Sequence, residues 1–465
     1  MFEFLMDNLI QVIYLLDVVL ILSMLFLERG EPSKAMLWTV ILLIMPIIGF
    51  VIYLFIGQSF YSKYAFRTKI EEDRNEPIEP PADIDASMTR ALDAVGSGPL
   101  SADNDVRLFT DGNEKFDSLK EDIRNARHFV HLEYYIIRKD ALGDEIISLL
   151  TEKASEGVEV RLMVDALGFN TGTIGKKGLK RAGGKVAVFH SNVTCLLSPK
   201  KNNRNHRKIA VIDGEIGYIG GFNIGDEYLG KGKFGHWRDS AVRITGSAVN
   251  SLSFRFGADW KYAYREDITG DLKYYREESG RTDGTPVQIT YGGPDVRDNP
   301  IAFQYLLMAE RAESTLYIHS PYFDPSPACL MALRAAAMRG VDVRLIIPDK
   351  PDHPFVYWSN RKFANDVMRS GVRVYEYNNG FVHSKTVVAD SKLCSVGSAN
   401  YDDRSMSLNF EANAMVYSEK LGREMTEAFL KDLEDCTEYT MEKYASRGLL
   451  QRINTSISWV VSGQL

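Results

Sequence analysis

The sequence predicts an α/β body of two similar halves behind an α-helical transmembrane hairpin, and three observations predict it. Two long apolar runs, residues 9–27 and 35–56, stand at the amino end. A strand, helix, glycine, strand pattern occurs twice in the body. The spacing H-x-K-x4-D-x6-G-(G/S)-x-N also occurs twice, beginning at His206 and at His383.

Each apolar run is about 20 residues long, enough at about 1.5 Å rise per residue to cross a hydrocarbon layer of roughly 30 Å. Gln11 and Asp17 interrupt the first run, and the second carries no charge. Asp17 is expected to face the partner helix or the interface, and Pro46 to kink the second span. The link, residues 28–34, is short and polar and contains both Gly and Pro. A cleaved signal peptide is the alternative, but Glu3 and Asp7 replace its basic start and a second span follows. A hairpin returns the chain to its starting side. Lys63, Arg67 and Lys69 outnumber Arg29 and Lys34, which places the body on the cytoplasmic side.

Residues 59–101 mix charge, Pro, Gly and Ser and read as a linker. The rest is composed like a folded protein, with 45% hydrophobic and 25% charged residues. A net charge of −7 offers no overall attraction to nucleic acid. Cys195, Cys329, Cys394 and Cys436 form no CxxC and suggest neither a disulfide framework nor a zinc site. In the body, Ser155-Glu156-Gly157-Val158-Glu159-Val160-Arg161-Leu162 recurs as Met338-Arg339-Gly340-Val341-Asp342-Val343-Arg344-Leu345. Each copy joins a helical segment (143–156, 327–339) to a buried-strand run (160–164, 343–347), with an upstream strand at 129–137 or 316–323. The expected halves are residues 102–285 and 286–440, followed by a tail, 441–465. The end of that tail, with Trp459, Arg447 and Arg452, reads either as a membrane-surface segment or as the close of the last helix, with packing preferred.

The duplicated spacing carries the chemistry. With eight His in the chain, one chance H-x-K-x4-D is expected at about 0.02. Residues 206–212 and 383–389 alternate like strands, so His206 and Lys208 share a face, as do His383 and Lys385. Gly220-Gly221 and Gly397-Ser398 follow, where backbone can approach a ligand. One imidazole, one ammonium and one amide from each half suit a phosphodiester. One His attacks phosphorus and the other moves the proton of the departing and then the incoming alcohol. Lys208, Lys385, Asn223 and Asn400 hold the non-bridging oxygens, so neither a metal nor another cofactor is required. Ser398 joins these phosphate-binding candidates, with Gly221 as its unequal counterpart. Asp239 and Glu411 are the best placed to orient the imidazoles. Asp213 and Asp390 complete the motif set and, at turn positions, are expected to brace loops.

At these residues the chain resembles the phospholipase D superfamily, with its paired H-x-K-x4-D motifs, and within it the bacterial cardiolipin synthase family. The resemblance extends to Glu28-Arg29-Gly30, residues 46–50 and 220–228, His236-Trp237-Arg238-Asp239, Pro321-Tyr322-Phe323 and residues 351–358. It implies two α/β sandwich halves sharing one site, with each orienting carboxylate serving the His of the opposite half. The implied reaction takes a phosphatidyl group from one phosphatidylglycerol to the glycerol headgroup of another, giving cardiolipin and glycerol at a bacterial cell membrane. Ser326 stands where the resemblance leads one to expect an acidic residue. A hydrolase releasing phosphatidic acid is the near rival. A nuclease is disfavoured by net acidity, and a scaffold has no need of duplicated groups for phosphoryl transfer. The sequence does not identify the nucleophilic His or the oligomeric state.

Overall fold

The computed structural model describes residues 2–27, 32–45, 47–56, 86–168, 173–189, 203–277, 281, 283–296 and 298–461. At the amino end, helices span Phe2–Leu27, Pro32–Ile44 and Ile48–Ile56. The second apolar run holds two helices of 13 and 9 residues, with Ile47 at a φ of 54° between them; Pro46, where the kink is expected, lies outside the described residues. Among the described residues, no helix is long and apolar enough to cross a membrane. Asp17 is buried in this unit, which packs around Met24, Ala35, Trp38, Leu42 and Tyr53. Residues 28–31 of the link, the linker as far as residue 85 with Lys63, Arg67 and Lys69, and Cys195 lie outside the described residues.

The folded body begins earlier than the expected boundary at 102. Helix Ala86–Ala94 buries Met88 and Leu92, and Leu100 follows them into the core of the second half. Composition read this stretch as tether because a nine-residue helix offers few apolar residues to a window. Its partners come from residues far along the chain.

The strands are β1 Ser101–Phe109, β2 Phe129–Tyr134, β3 Glu159–Asp165, β4 Lys185–Phe189, β5 Ile209–Ile212, β6 Ile216–Gly220, β7 Trp237–Arg238 and β8 Ala241–Thr245 in the first half. The second half supplies β9 Thr285–Gly292, β10 Thr315–His319, β11 Phe323–Asp324, β12 Asp342–Pro348, β13 Arg373–Tyr377, β14 Phe381–Val382, β15 Thr386–Ala389, β16 Leu393–Gly397, β17 Tyr401–Asp402, β18 Glu411–Tyr417 and β19 Cys436–Tyr439. Outward from the β1–β9 junction, the order is β8-β6-β5-β2-β3-β4 on one side and β18-β16-β15-β10-β12-β13-β19 on the other. The same winding occurs twice, so a pseudo-twofold relates the halves.

Local chemistry explains the repeat. Gly157 and Gly340 have φ of 92° and 97°. Each ends a helix in the left-handed conformation and turns the chain into β3 or β12, where an L side chain would be strained. Those strands pair in parallel with β2 and β10. Their near-continuous Val, Leu and Ile runs fit strands buried on both faces. Each half has its own apolar core.

Candidate active site

Two short backbone ladders tie each motif to the other half. β7 pairs in parallel with β14, and a bridge joins Asn205 to Phe410. His383 N donates to Arg238 O at 2.7 Å and His206 N to Phe410 O at 2.9 Å. These ladders place each imidazole beside a carboxylate from the opposite half. His206 Nδ1 lies 2.8 Å from Glu411 Oε1, and His383 Nδ1 lies 2.6 Å from Asp239 Oδ2. A carboxylate only accepts, so Nδ1–H donates in both pairs and Nε2 keeps its lone pair.

The local conformation differs from the strand expected over 206–212 and 383–389. β5 begins at Ile209 and β15 at Thr386, so His and Lys stand on the extended approach to the strand. The two His amides bond to the other half, while Lys385 O still accepts from Gly397 N of β16 at 3.4 Å. His and Lys still project together: Lys208 Nζ donates to His206 O at 2.5 Å, and Lys385 Nζ to His383 O.

The glycine positions also have a different reason from the one expected. A Cβ on Gly220 would meet Ala241 Cα at 2.5 Å, and one on Gly397 would meet Ala412 O at 2.4 Å. Close packing against a neighbouring strand requires them, not a ligand. Ser398, expected at the phosphate, turns to Glu411: its hydroxyl donates to Oε2 at 2.5 Å and accepts from Ala412 N at 3.0 Å. On the other side, Ser240 N donates to Asp239 Oδ1 at 2.8 Å.

Burial governs the charges. It lowers His206 and His383 to about 4 each, against the ordinary 6.5. Burial likewise brings Lys208 down to about 7 and Lys385 to about 8. Glu411 is pushed upward by burial, but His206, Lys208 and Ser398 together hold it below the usual carboxylate range. Burial thus favours neutral imidazoles and makes the ammonium groups easily discharged. An arriving phosphodiester anion would favour the charged forms again.

A cavity of about 600 Å³ joins the two halves' contributions, lined by His206, His383, Asn223 and Asn400. Lys208 and Lys385 are buried beside it. Asn223 Oδ1 accepts from Ile136 N at 3.1 Å, and its Nδ2 donates to Tyr228 Oη at 2.7 Å. Asn400 Oδ1 is buried without a hydrogen-bond partner. Asp213 and Asp390 are not brought to the cavity. They follow the far ends of β5 and β15, where Asp213 accepts from the amides of Arg127, His128 and Phe129 and Asp390 from those of Glu313, Ser314 and Thr315, at 2.8 Å each.

Sequence reasoning missed several lining residues. Arg204 and Arg404 bring cations, while Tyr135, Trp237, Tyr322 and Phe355 bring aromatic surface. Arg204 stands two residues before His206, the spacing that shares a face on extended chain, whereas Arg404 had no sequence signal. Trp237, Tyr322 and Phe355 lay within the stretches that carried the resemblance. Asp324 also lines the cavity, while Ser326 caps helix Pro327–Met338 by accepting from Cys329 N at 3.4 Å.

Comparison with known proteins matches residues 119–260 and 305–433 to the family described as cardiolipin synthase, PLD-like domain. Residues 15–58 match the phospholipase D-nuclease N-terminal family. A cardiolipin synthase of Staphylococcus aureus is 41% identical over 474 residues, covering 97% of this chain and 95% of that protein. One from Clostridium perfringens is 39% identical, covering 94% and 95%. Among solved structures, phosphatidylserine synthase of Haemophilus influenzae shares the fold with a TM-score of 0.62 at 16% identity, covering 82% of this chain and 100% of that one.

Proposed function

The chain belongs to the cardiolipin synthase family of PLD-like proteins, and from that membership we propose that it is a membrane-bound phosphatidyltransferase making cardiolipin and glycerol from two phosphatidylglycerol molecules. One motif imidazole attacks phosphorus through Nε2, and the bond to the leaving glycerol breaks. The second imidazole, protonated in the bound complex, gives that glycerol its proton. A phosphohistidine remains. The free hydroxyl of a second phosphatidylglycerol then yields its proton to the second imidazole and attacks phosphorus, and the N–P bond breaks. The number of phosphodiester bonds is unchanged, so no nucleotide is consumed.

The observation that carries this reading is the crossed pair His206–Glu411 and His383–Asp239 at one cavity. Each half supplies one imidazole, and each imidazole is oriented by the other half. Lys208, Lys385, Asn223 and Asn400 are the proposed groups for the non-bridging oxygens, the two amides by hydrogen bonding and the two ammonium groups by their charge. Membrane embedding belongs to the same proposal. The apolar character of residues 9–27 and 35–56, in the segment matched at 15–58, supports a multi-pass anchor in the bacterial cell membrane with the body on the cytoplasmic side.

The test is incubation of the detergent-solubilised full chain with labelled phosphatidylglycerol in mixed micelles without nucleotide. Cardiolipin with one released glycerol per turnover is expected, together with an acid-labile phosphoenzyme on His206 or His383. Phosphatidic acid as the sole lipid product would make the protein a hydrolase. A serine-linked phosphate would overturn the mechanism.

A further inference from the structure

Helix Leu449–Val461 turns two hydroxyl residues, Thr455 and Ser458, inward. Thr455 and Ser458 are 3% and 2% exposed, while Leu449, Leu450, Ile453, Ile457 and Val460 range from 44% to 76%. Residues 449, 453, 457 and 460 are spaced by four, four and three, which makes one outward aliphatic stripe. A helix that merely closed a body would turn that stripe inward. The outward stripe needs a cover that water does not provide.

Beside it lies a cleft of about 540 Å³ between this helix and helix Pro354–Met368, lined by Arg369, Arg447, Arg452, Asn365 and Trp459. Arg447 donates to Tyr444 O and Thr455 Oγ1, both at 2.7 Å, and Arg452 to Arg447 O at 2.9 Å and Ala445 O at 2.8 Å. Among the described residues, none of Arg369, Arg447 and Arg452 is paired with a carboxylate. Lys362, also in the wall, is held by Asp366 at 2.5 Å. Asn365 is 3% exposed, and its Oδ1 takes no hydrogen bond. The cleft therefore offers unpaired positive charge together with a buried acceptor that lacks a donor.

We propose that this cleft binds the head group of an anionic membrane phospholipid while the aliphatic stripe lies in the boundary of the acyl layer. The guanidinium groups take the phosphate, and Asn365 Oδ1 accepts from a head-group hydroxyl. This lipid site is separate from the catalytic cavity. It shares one element with it, since the first turns of helix Pro354–Met368 line the cavity and its later turns line the cleft. Charge and apolarity together select the occupant. A second copy docked through the same face would oppose guanidinium to guanidinium. The acidic stretch 71–85 has suitable charge, but Ile78 and Ile84 are its only aliphatic residues beyond Ala82, too few to cover the stripe.

The test uses the full chain carrying His206→Ala and His383→Ala, so that no lipid is consumed. Ile457→Cys is labelled with an environment-sensitive fluorophore after Cys195 and Cys436 are changed to Ser. The protein is reconstituted in phosphatidylcholine vesicles, with or without phosphatidylglycerol, containing acyl chains brominated at defined depths. Blue-shifted emission quenched by shallow bromines, and strengthened by phosphatidylglycerol, is expected. Arg369→Gln should raise the half-saturating phosphatidylglycerol fraction at least about threefold. Excess soluble glycerophosphoglycerol should reproduce that loss without any substitution, which keeps the head-group assignment testable should the variant fold poorly. Equal quenching with and without phosphatidylglycerol would overturn the head-group assignment. A label shielded before lipid is added would assign the stripe to another part of the chain or to a second copy. The readout sits at the carboxy end and needs no turnover, so its failure is distinct from failure of the proposed reaction.

Discussion

A Cβ on Gly221 would lie 2.0 Å from Asp239 Oδ1, whereas at the equivalent position of the second half the Ser398 hydroxyl donates to Glu411 Oε2 at 2.5 Å. The halves repeat the same chain path but hold their orienting carboxylates differently. Asp239 occupies space that a side chain at 221 would take. Glu411 is held by a side chain that occupies that space. The glycine and the serine are thus each matched to their own carboxylate.

Gly221→Ala should push Asp239 off the His383 ring nitrogen and lower kcat by about 100-fold, with a small change in KM, because a misplacement of about 1 Å is costly to an oriented proton transfer. Steady-state cardiolipin formation measures it. An activity within twofold of the parent would show that Asp239 reaches His383 by another path.

Ser398→Ala removes one donor from a buried carboxylate but leaves His206 and the Glu411 main chain in place. The expected loss is about 10-fold in kcat, the size of one charge-assisted hydrogen bond. His206→Ala and His383→Ala should each abolish turnover, since neither imidazole can perform the other's step at the same time.

The pH dependence follows from buried, neutral imidazoles. Both are lowered from 6.5 to about 4 in the folded protein. Between those values the unfolded chain binds protons that the folded chain excludes. Stability therefore falls as the pH drops from about 6.5 to about 4, with a slope of up to about 1.4 kcal/mol per pH unit for each imidazole. Denaturant unfolding across that window should show this slope, and the double variant His206→Gln, His383→Gln should flatten it. Phosphodiester binding favours the protonated forms, so calorimetry in buffers of different ionisation enthalpy should register net proton uptake.

Asp213 and Asp390 predict the opposite pattern from the imidazoles. Each accepts from three backbone amides, and each has a positive φ, 54° and 51°. Replacement by Ala strands those donors and should cost about 1 to 3 kcal/mol per site. At a temperature where the variant remains folded, turnover should stay near that of the parent. Thermal unfolding paired with low-temperature kinetics separates the two effects.

The start of the body is testable through Leu92, which is fully buried in the second half's core. Leu92→Ala should destabilise the body by about 2 to 5 kcal/mol. A chain beginning at residue 86 should unfold like the body of the full protein, and one beginning at 102 at markedly lower denaturant.

The two-half architecture was legible because it rests on local facts repeated along the chain. Gly157 and Gly340 mark the same left-handed turn, the runs at Val160 and Val343 mark the same buried strand, and the spacing after His206 and His383 is the same. Asp239 and Glu411 were likewise legible as candidates, since they stand at matching points after their motifs. Helix Ala86–Ala94, Arg404 and the inward face of helix Leu449–Val461 were not. Their significance lies in partners distant in sequence, and neither composition nor spacing records a partner.

Which groups are present, and that they come as a matched pair of imidazole, ammonium, amide and carboxylate, could be read along the chain. How they are shared depends on the fold. The β7–β14 pairing and the Asn205–Phe410 bridge cross the halves, so each imidazole is oriented from outside its own motif. The structure also set Ser398 against a carboxylate and Asp213 and Asp390 at turns away from the cavity. The physical reason is that spacing fixes which neighbours along one strand share a face, whereas the direction of a hydrogen bond depends on what another strand brings opposite.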